Sequence, residues 1–232
     1  MCHTGVVYVR EIDGKELIFI VSGALWRNSM VMQDKETGSR WSHITGEALL
    51  GPLKGKRLKQ LPMIQTKWED WYGQNPDTKV LKKNTAIRSS SYEKYFNDPN
   101  RTGIFRARYL KERLPGKNLV HGIRLDAHAL AVTDGFMKKK SFLQTRLGEK
   151  TIIVARTAAD GVRAFAARSH RFKQAQNKDY LRDKATRSLW KASNGKCIDG
   201  PLEGAVLEEI PVTVAYWFAW SNYFPNTLVV DK

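Results

Sequence analysis

Met30, Met32, Ser42, His43 and Glu47 bring two thioethers, a hydroxyl, an imidazole and a carboxylate into one short stretch, and Cys2 and His3 add a thiol and a second imidazole. Two chemistries are open to such a set. A thiolate, imidazoles and thioethers form a soft donor set, suited to copper(I) before zinc, with Cys2, His3, Met30 and His43 as its ligands. Alternatively, His43 and Glu47 form an acid–base pair beside Ser42 and Cys2. Nucleophilic catalysis of that kind also needs an oriented base and an oxyanion site. The plainer reading is that methionines beside tryptophan fill a core and that His43 is a hydrogen-bonded structural residue. There is no Gly-x-Ser-x-Gly elbow, no His-Glu-x-x-His and no glycine-rich phosphate loop. Asp126 and His128 alternate on a predicted strand and read as surface or turn polarity.

The elements that must hold these residues are written twice. Aligning residues 34–80 with 183–229 needs no gap and gives 17 identical pairs out of 47. Among them are Asp34/Asp183, Trp41/Trp190, Gly46/Gly195, Gly51-Pro52-Leu53/Gly200-Pro201-Leu202, Trp68/Trp217 and Trp71/Trp220. Two copies are too few for a solenoid, so the chain reads as a tandem duplication. What both copies keep should be scaffold, and what one copy keeps is a candidate for function. Opposite Met30, Met32, Ser42, His43 and Glu47 the second copy has Asp179, Leu181, Lys191, Ala192 and Lys196, so no soft ligand recurs there.

Asp-Lys-x-Thr is turn chemistry, and residues 19–32 with residues 40–44 read as an antiparallel hairpin. If Asp34 pairs with Ser39, Met32 faces Trp41 and Met30 faces His43 on one side of the sheet, whereas a slip of one residue would separate them. Gly-Pro-Leu-x-Gly marks a second turn. Trp68, Trp71 and Tyr72 fall on one face of a short helix stopped by Pro76, and Trp217 and Trp220 repeat it; all four tryptophans are expected to pack into the core.

Residues 119–132 and 149–168 read as strands of the second unit, with counterparts in the first that would fall before residue 1. The first copy is therefore expected to be incomplete. The expected organisation is a first unit at 1–84, a polar linker at 85–117 pinned by aromatics such as Tyr92, Tyr95, Phe96, Phe105 and Tyr109, and a second unit at 118–232. The fold class is α+β and β-rich: two copies of an antiparallel sheet, each with a Trp-x-x-Trp helix packed on it.

Composition sets wider bounds. The chain has 232 residues, 42% of them hydrophobic, enough for a real core. No run approaches the roughly 18 apolar residues of a membrane span. The 39 basic and 23 acidic residues give a net charge of +16, concentrated in the second half, which would attract polyanions such as nucleic acid. Two cysteines, Cys2 and Cys197, make no disulfide framework.

The segments CHTGVVY, VSGALW, VMQDKETGSRWSHITGEALLGPLKGKRL, a Trp-x-x-Trp stretch and RLPGKNLVHGI together resemble the bacterial and archaeal domain-of-unknown-function 3179 family over nearly the whole chain. Members usually carry Tyr- or Phe-Cys-x-x-Cys before the Thr-Gly matching Thr4-Gly5, so Cys2 corresponds to the second cysteine of that motif. The resemblance implies an exported or envelope-associated protein, and a second thiolate in the full motif would make either a metal site or a dithiol redox site. The leading expectation is an envelope-associated binding protein with a copper or thiol redox site in the first unit. The alternatives are an enzyme with a Cys/His/Glu pocket there, or polyanion binding through the basic second half.

Overall fold

The computed structural model describes residues 2–82, 92–104 and 112–232. Phe105 and Tyr109 of the expected linker lie outside these residues.

The protein is β-rich, with several small sheets and four short helices among the described residues. The chain opens with β1 (Val7–Tyr8), the small hairpin β2 (Glu11–Ile12) and β3 (Lys15–Glu16), and then β4 (Phe19–Trp26), β5 (Ser29–Asp34), β6 (Arg40–Ser42) and β7 (Ala48–Leu50). The last four form an antiparallel sheet in sequence order. β8 (Gln60–Leu61) returns to β1, and α1 (Trp68–Gln74) follows. After α2 (Glu93–Asn97) come β9 (Leu119–Leu125), β10 (His128–Thr133), α3 (Asp134–Lys140), β11 (Phe142–Leu147), β12 (Lys150–Arg156) and β13 (Val162–Ala166). A second antiparallel sheet in sequence order is built from β14 (Phe172–Gln174), β15 (Tyr180–Asp183), β16 (Leu189–Lys191) and β17 (Cys197–Asp199). β18 (Glu209–Ile210), β19 (Val212–Tyr216), α4 (Trp217–Tyr223) and β20 (Leu228–Val230) complete the chain.

The two sheets that run in sequence order close with matching bonds. Asp34 N donates to Ser39 O and Asp183 N to Ser188 O. Leu53 N donates to Ser39 Oγ, and Leu202 N to Ser188 Oγ. Gly51 and Gly200 share a φ of 96°, and a Cβ on either would lie within 3 Å of the Cα of Ser39 or Ser188. Gly51→Ala should therefore lower stability by about 1–3 kcal/mol, read as a lower urea midpoint, since both the backbone region and the space forbid a side chain. The buried indoles differ in one respect. Trp41 Nε1 donates to Asp34 Oδ2 at 2.7 Å, whereas Asp183 Oδ2 is bonded to His170 Nδ1 at 3.0 Å, and Trp190 Nε1 has no partner among the described residues.

The hairpin register follows the expectation: Met32 pairs with Trp41, and His43 N donates to Met30 O. Residues 19–32, expected as one arm, are two strands. Arg27 and Asn28 both have positive φ, 50° and 62°, and turn the chain between β4 and β5. That is the backbone of a tight two-residue hairpin loop, written without the Asn-Gly that usually announces it.

The largest core lies between β9–β10 and β11–β13, where Ile123, Leu130, Val132, Met137, Ile152 and Val154 are buried. Two outer strands, β19 and β20, flank β9 and β10 in the order β19-β9-β10-β20. α4 lies on this sheet with Trp217 and Trp220 fully buried, as expected. For α1 the expectation fails: Trp68 is 52% exposed, Trp71 39% and Tyr72 47%. Their spacing gives a helix face, but no strand pair lies over it among the described residues, so the rings stay at the surface. In the linker region Tyr95 is buried and Lys117 Nζ sits 4.0 Å from its ring centroid.

Candidate functional site

β5 begins with Ser29, whose buried hydroxyl stands between the two residues of greatest chemical interest. Cys2 Sγ is 3.7 Å from Ser29 Oγ, which in turn is 3.4 Å from His43 Nδ1. His43 follows β6 and enters the tight turn that Gly46 closes at φ 68°. Its carbonyl is held by the Tyr8 hydroxyl at 2.9 Å, which ties β1 to the turn. On the other side, Tyr216 N at the end of β19 donates to Cys2 O at 2.9 Å. The thiol is thus fixed between the two halves of the chain.

The shell is apolar: Ile44, Phe218, Ala219 and Tyr223 are buried with Cys2, and Trp26 and Tyr216 pack around them. Burial works to raise the thiol pKa, but hydrogen bonds from His43, Ser29 and Thr4 outweigh it and bring Cys2 down to about 7. Close to half of such a thiol is thiolate at neutral pH, against a few per cent of an ordinary one. Tyr223 completes the polar patch. Its hydroxyl donates to Trp26 O at 2.7 Å, and burial pushes its pKa up to about 12 against bonds from Ser42 and Ser29, so it stays a neutral phenol at the cluster's edge.

The other residues singled out from sequence have different surroundings. His3 has a left-handed backbone, φ 59°, and its ring lies 5.2 Å from that of Tyr216 and 6.5 Å from that of Phe96. Burial lowers its pKa. Glu47 is held at the surface by Arg57 at 2.7 Å. Ser42 is fully buried, and its Oγ accepts from Thr45 N at 3.2 Å. Met30 is half-buried, and Met32 packs with the Trp41 cluster. Among the described residues no group of three or more His, Cys, Asp or Glu could hold a metal ion. In the basic second half, Arg156 and Lys138 pair with Asp134, and Arg163 pairs with Glu209.

Sequence reasoning missed Ser29, Thr4 and Tyr223. The comparison of copies contained a signal for Tyr223, because the first copy has Gln74 at that position.

A stretch of the second half is paired in a similar way. β1 pairs with β8 as β13 pairs with β18, Tyr8 with Gln60 and Phe165 with Glu209. Counting back six residues from Tyr8 and from Phe165 reaches Cys2 and Ala159. Ala159 O accepts a bond from Thr66 Oγ1, much as Cys2 O is bonded by Tyr216. Where the thiol cluster is packed, this second place is a cleft of ≈ 280 Å³ lined by Ala159, Asp179, Lys191 and Gln74, the counterparts of Cys2, Met30, Ser42 and Tyr223.

A family model described as a protein of unknown function, DUF3179, matches residues 1–227, a span that takes in both the thiol cluster and its counterpart. The chain belongs to the DUF3179 family. No curated protein and no solved structure matches it. Within this DUF3179 chain no described helix is long and apolar enough to cross a membrane.

Proposed function

We propose that the first half of this protein carries a thiol redox centre, with Cys2 as the reacting group. The observation that carries the reading is the Cys2–Ser29–His43 chain of contacts, which stabilises a thiolate inside an apolar shell. In thiol–disulfide exchange the Cys2 thiolate attacks one sulfur of a substrate disulfide. A mixed disulfide forms, the substrate's S–S bond breaks, and the departing thiolate takes a proton from solvent. A soft-metal role draws on the same sulfur, but among the described residues a single imidazole, that of His43, stands with it, and Ser29 Oγ lies between them. An enzyme pocket that uses Glu47 lacks support, since its carboxylate is engaged by Arg57. We also read the two sequence-order sheets as copies of one unit, on the strength of their matching bonds, with boundaries at 1–84 and 118–232.

The test is the pH dependence of Cys2 trapping by methyl methanethiosulfonate, followed by peptide mass in a Cys197→Ala background. The rate should rise through one ionisation with a midpoint near 7. His43→Ala should move the midpoint above 8 and slow trapping at pH 7 at least about fivefold, as the thiolate fraction falls from about half to about a tenth or less. A parent midpoint at the ordinary thiol value near 8.5 would sink the proposal.

A further inference from the structure

The cleft of ≈ 280 Å³ lies between the α1 segment and the second half of the chain, and the thiol chemistry makes no use of it. Its walls are held together from both sides. Thr66 Oγ1 donates to Ala159 O, and Ile64 packs so tightly on the β12–β13 turn that a Cβ on Gly161 would collide with its Cδ1. Tyr180 pairs with Lys191, and Ala192 N donates to Asp179 O at 2.8 Å, which fixes Asp179 and Lys191 on neighbouring strands.

The lining carries charges of both signs that do not neutralise each other. Asp179 Oδ1 accepts from Ala158 N at 2.8 Å, but its carboxylate is in no ion pair among the described residues. Lys191 Nζ likewise has no partner among them, although it is anchored beside Asp179. Arg163 pairs through Nη1 with Glu209 and leaves a buried Nε–H without an acceptor. All three residues are half-buried. Opposite charges that share a cleft without reaching each other carry a desolvation cost, and a ligand bearing both signs would offset it. These groups come from β13, β16 and the approach to β15, so the charged wall belongs wholly to the second half. The aligned positions of the first half hold Met30 for Asp179 and Ser42 for Lys191, so the charged pair does not recur there.

We propose that this cleft binds a free α-amino acid, with its carboxylate on Lys191 and the Arg163 Nε–H and its ammonium on Asp179. A lone carboxylate would be repelled by Asp179, and a lone amine by Lys191 and Arg163, so neither satisfies the lining. A zwitterion makes charge-assisted hydrogen bonds at both ends, which are shorter and stronger than neutral ones. Sites for drug-sized ligands occupy about 300–1,000 Å³, so this cleft suits a smaller molecule. Ile64, Trp71 and Tyr180 leave apolar surface in the lining for its side chain.

The test is isothermal titration calorimetry of the full-length protein with each of the common L-amino acids. At least one should bind saturably, with a Kd of about 1 mM or tighter. Lys191→Met and Asp179→Asn should each weaken that binding at least about tenfold, the loss of one charged hydrogen bond. The asparagine keeps an acceptor for Ala158 N, so the local turn is preserved. Exchanging the ligand for its 2-hydroxy acid removes the ammonium and should cost the parent about tenfold, yet cost Asp179→Asn nothing further. Absence of saturable binding by any of them, or binding indifferent to either substitution, would overturn the proposal. So would a 2-hydroxy acid that binds the parent as tightly as the amino acid does.

Discussion

Replacing Trp220 with alanine is expected to destabilise the protein by about 3–5 kcal/mol, whereas Trp71→Ala, the same change at the matching position, should cost no more than about 2 kcal/mol. Trp220 is 1% exposed, and its ring covers Gly122 among Val120, Ala131, Ala215 and Trp217. Removal leaves a cavity that a sheet paired on both sides cannot collapse into. Trp71 is 39% exposed, so its removal forfeits less burial than that of Trp220, and the bond to Thr78 is solvent-accessible. Urea unfolding of the two variants beside the parent gives both numbers. Equal losses would mean that the Trp68–Trp71 face is covered in solution.

The same pair of residues shows what the amino-acid sequence can and cannot say. Spacing at i, i+3 and i+4 establishes that α1 has an aromatic face; whether anything lies on that face is a tertiary fact with no local trace. The register of β5 and β6 was legible because a slip of one residue would turn Trp41 out of the core, and because Asp34, Thr37 and Ser39 bond among themselves in a turn of fixed length. The turn at Arg27–Asn28 was not, since neither residue is the glycine that positive φ usually selects. At the thiol cluster, Cys2 and His43 stood out by residue type, and His43 also because the aligned stretch has Ala192 at its position. Ser29 and Tyr223 belong to the cluster only because β5 and α4 meet there, far apart in the chain. Glu47 illustrates the opposite error: a carboxylate close in sequence to His43 reaches across to Arg57 because the bridge between residues 47 and 57 turns it outward.

Asp134→Ala should be the most damaging polar substitution, with an expected loss of about 3–5 kcal/mol at neutral pH. At the start of α3 the Asp134 carboxylate meets the buried Arg156 guanidinium, accepts from Lys138 Nζ at 2.8 Å and lies 3.1 Å from His121 Nε2. The mostly exposed Lys138 adds little, so the loss rests on Arg156, which among the described residues would keep only Asp160 as an ion-pair partner. Burial acts to raise the Asp134 pKa, but the bonds from His121 and Lys138 and the charge of Arg156 hold it far below the usual carboxylate range. Burial keeps His121 below its ordinary value, so the imidazole is neutral at pH 7. The sign of the pH dependence follows. A carboxylate whose pKa is lower in the folded chain than its unfolded value of about 3.9 contributes its full stabilisation above that value, and loses it as pH falls toward the folded one. The gap in unfolding free energy between parent and Asp134→Ala should therefore be flat from pH 5 to 7 and narrow below about pH 4. A gap that stayed constant down to pH 2.5 would show that the loss comes from packing at the start of α3 and not from the ion pair with Arg156.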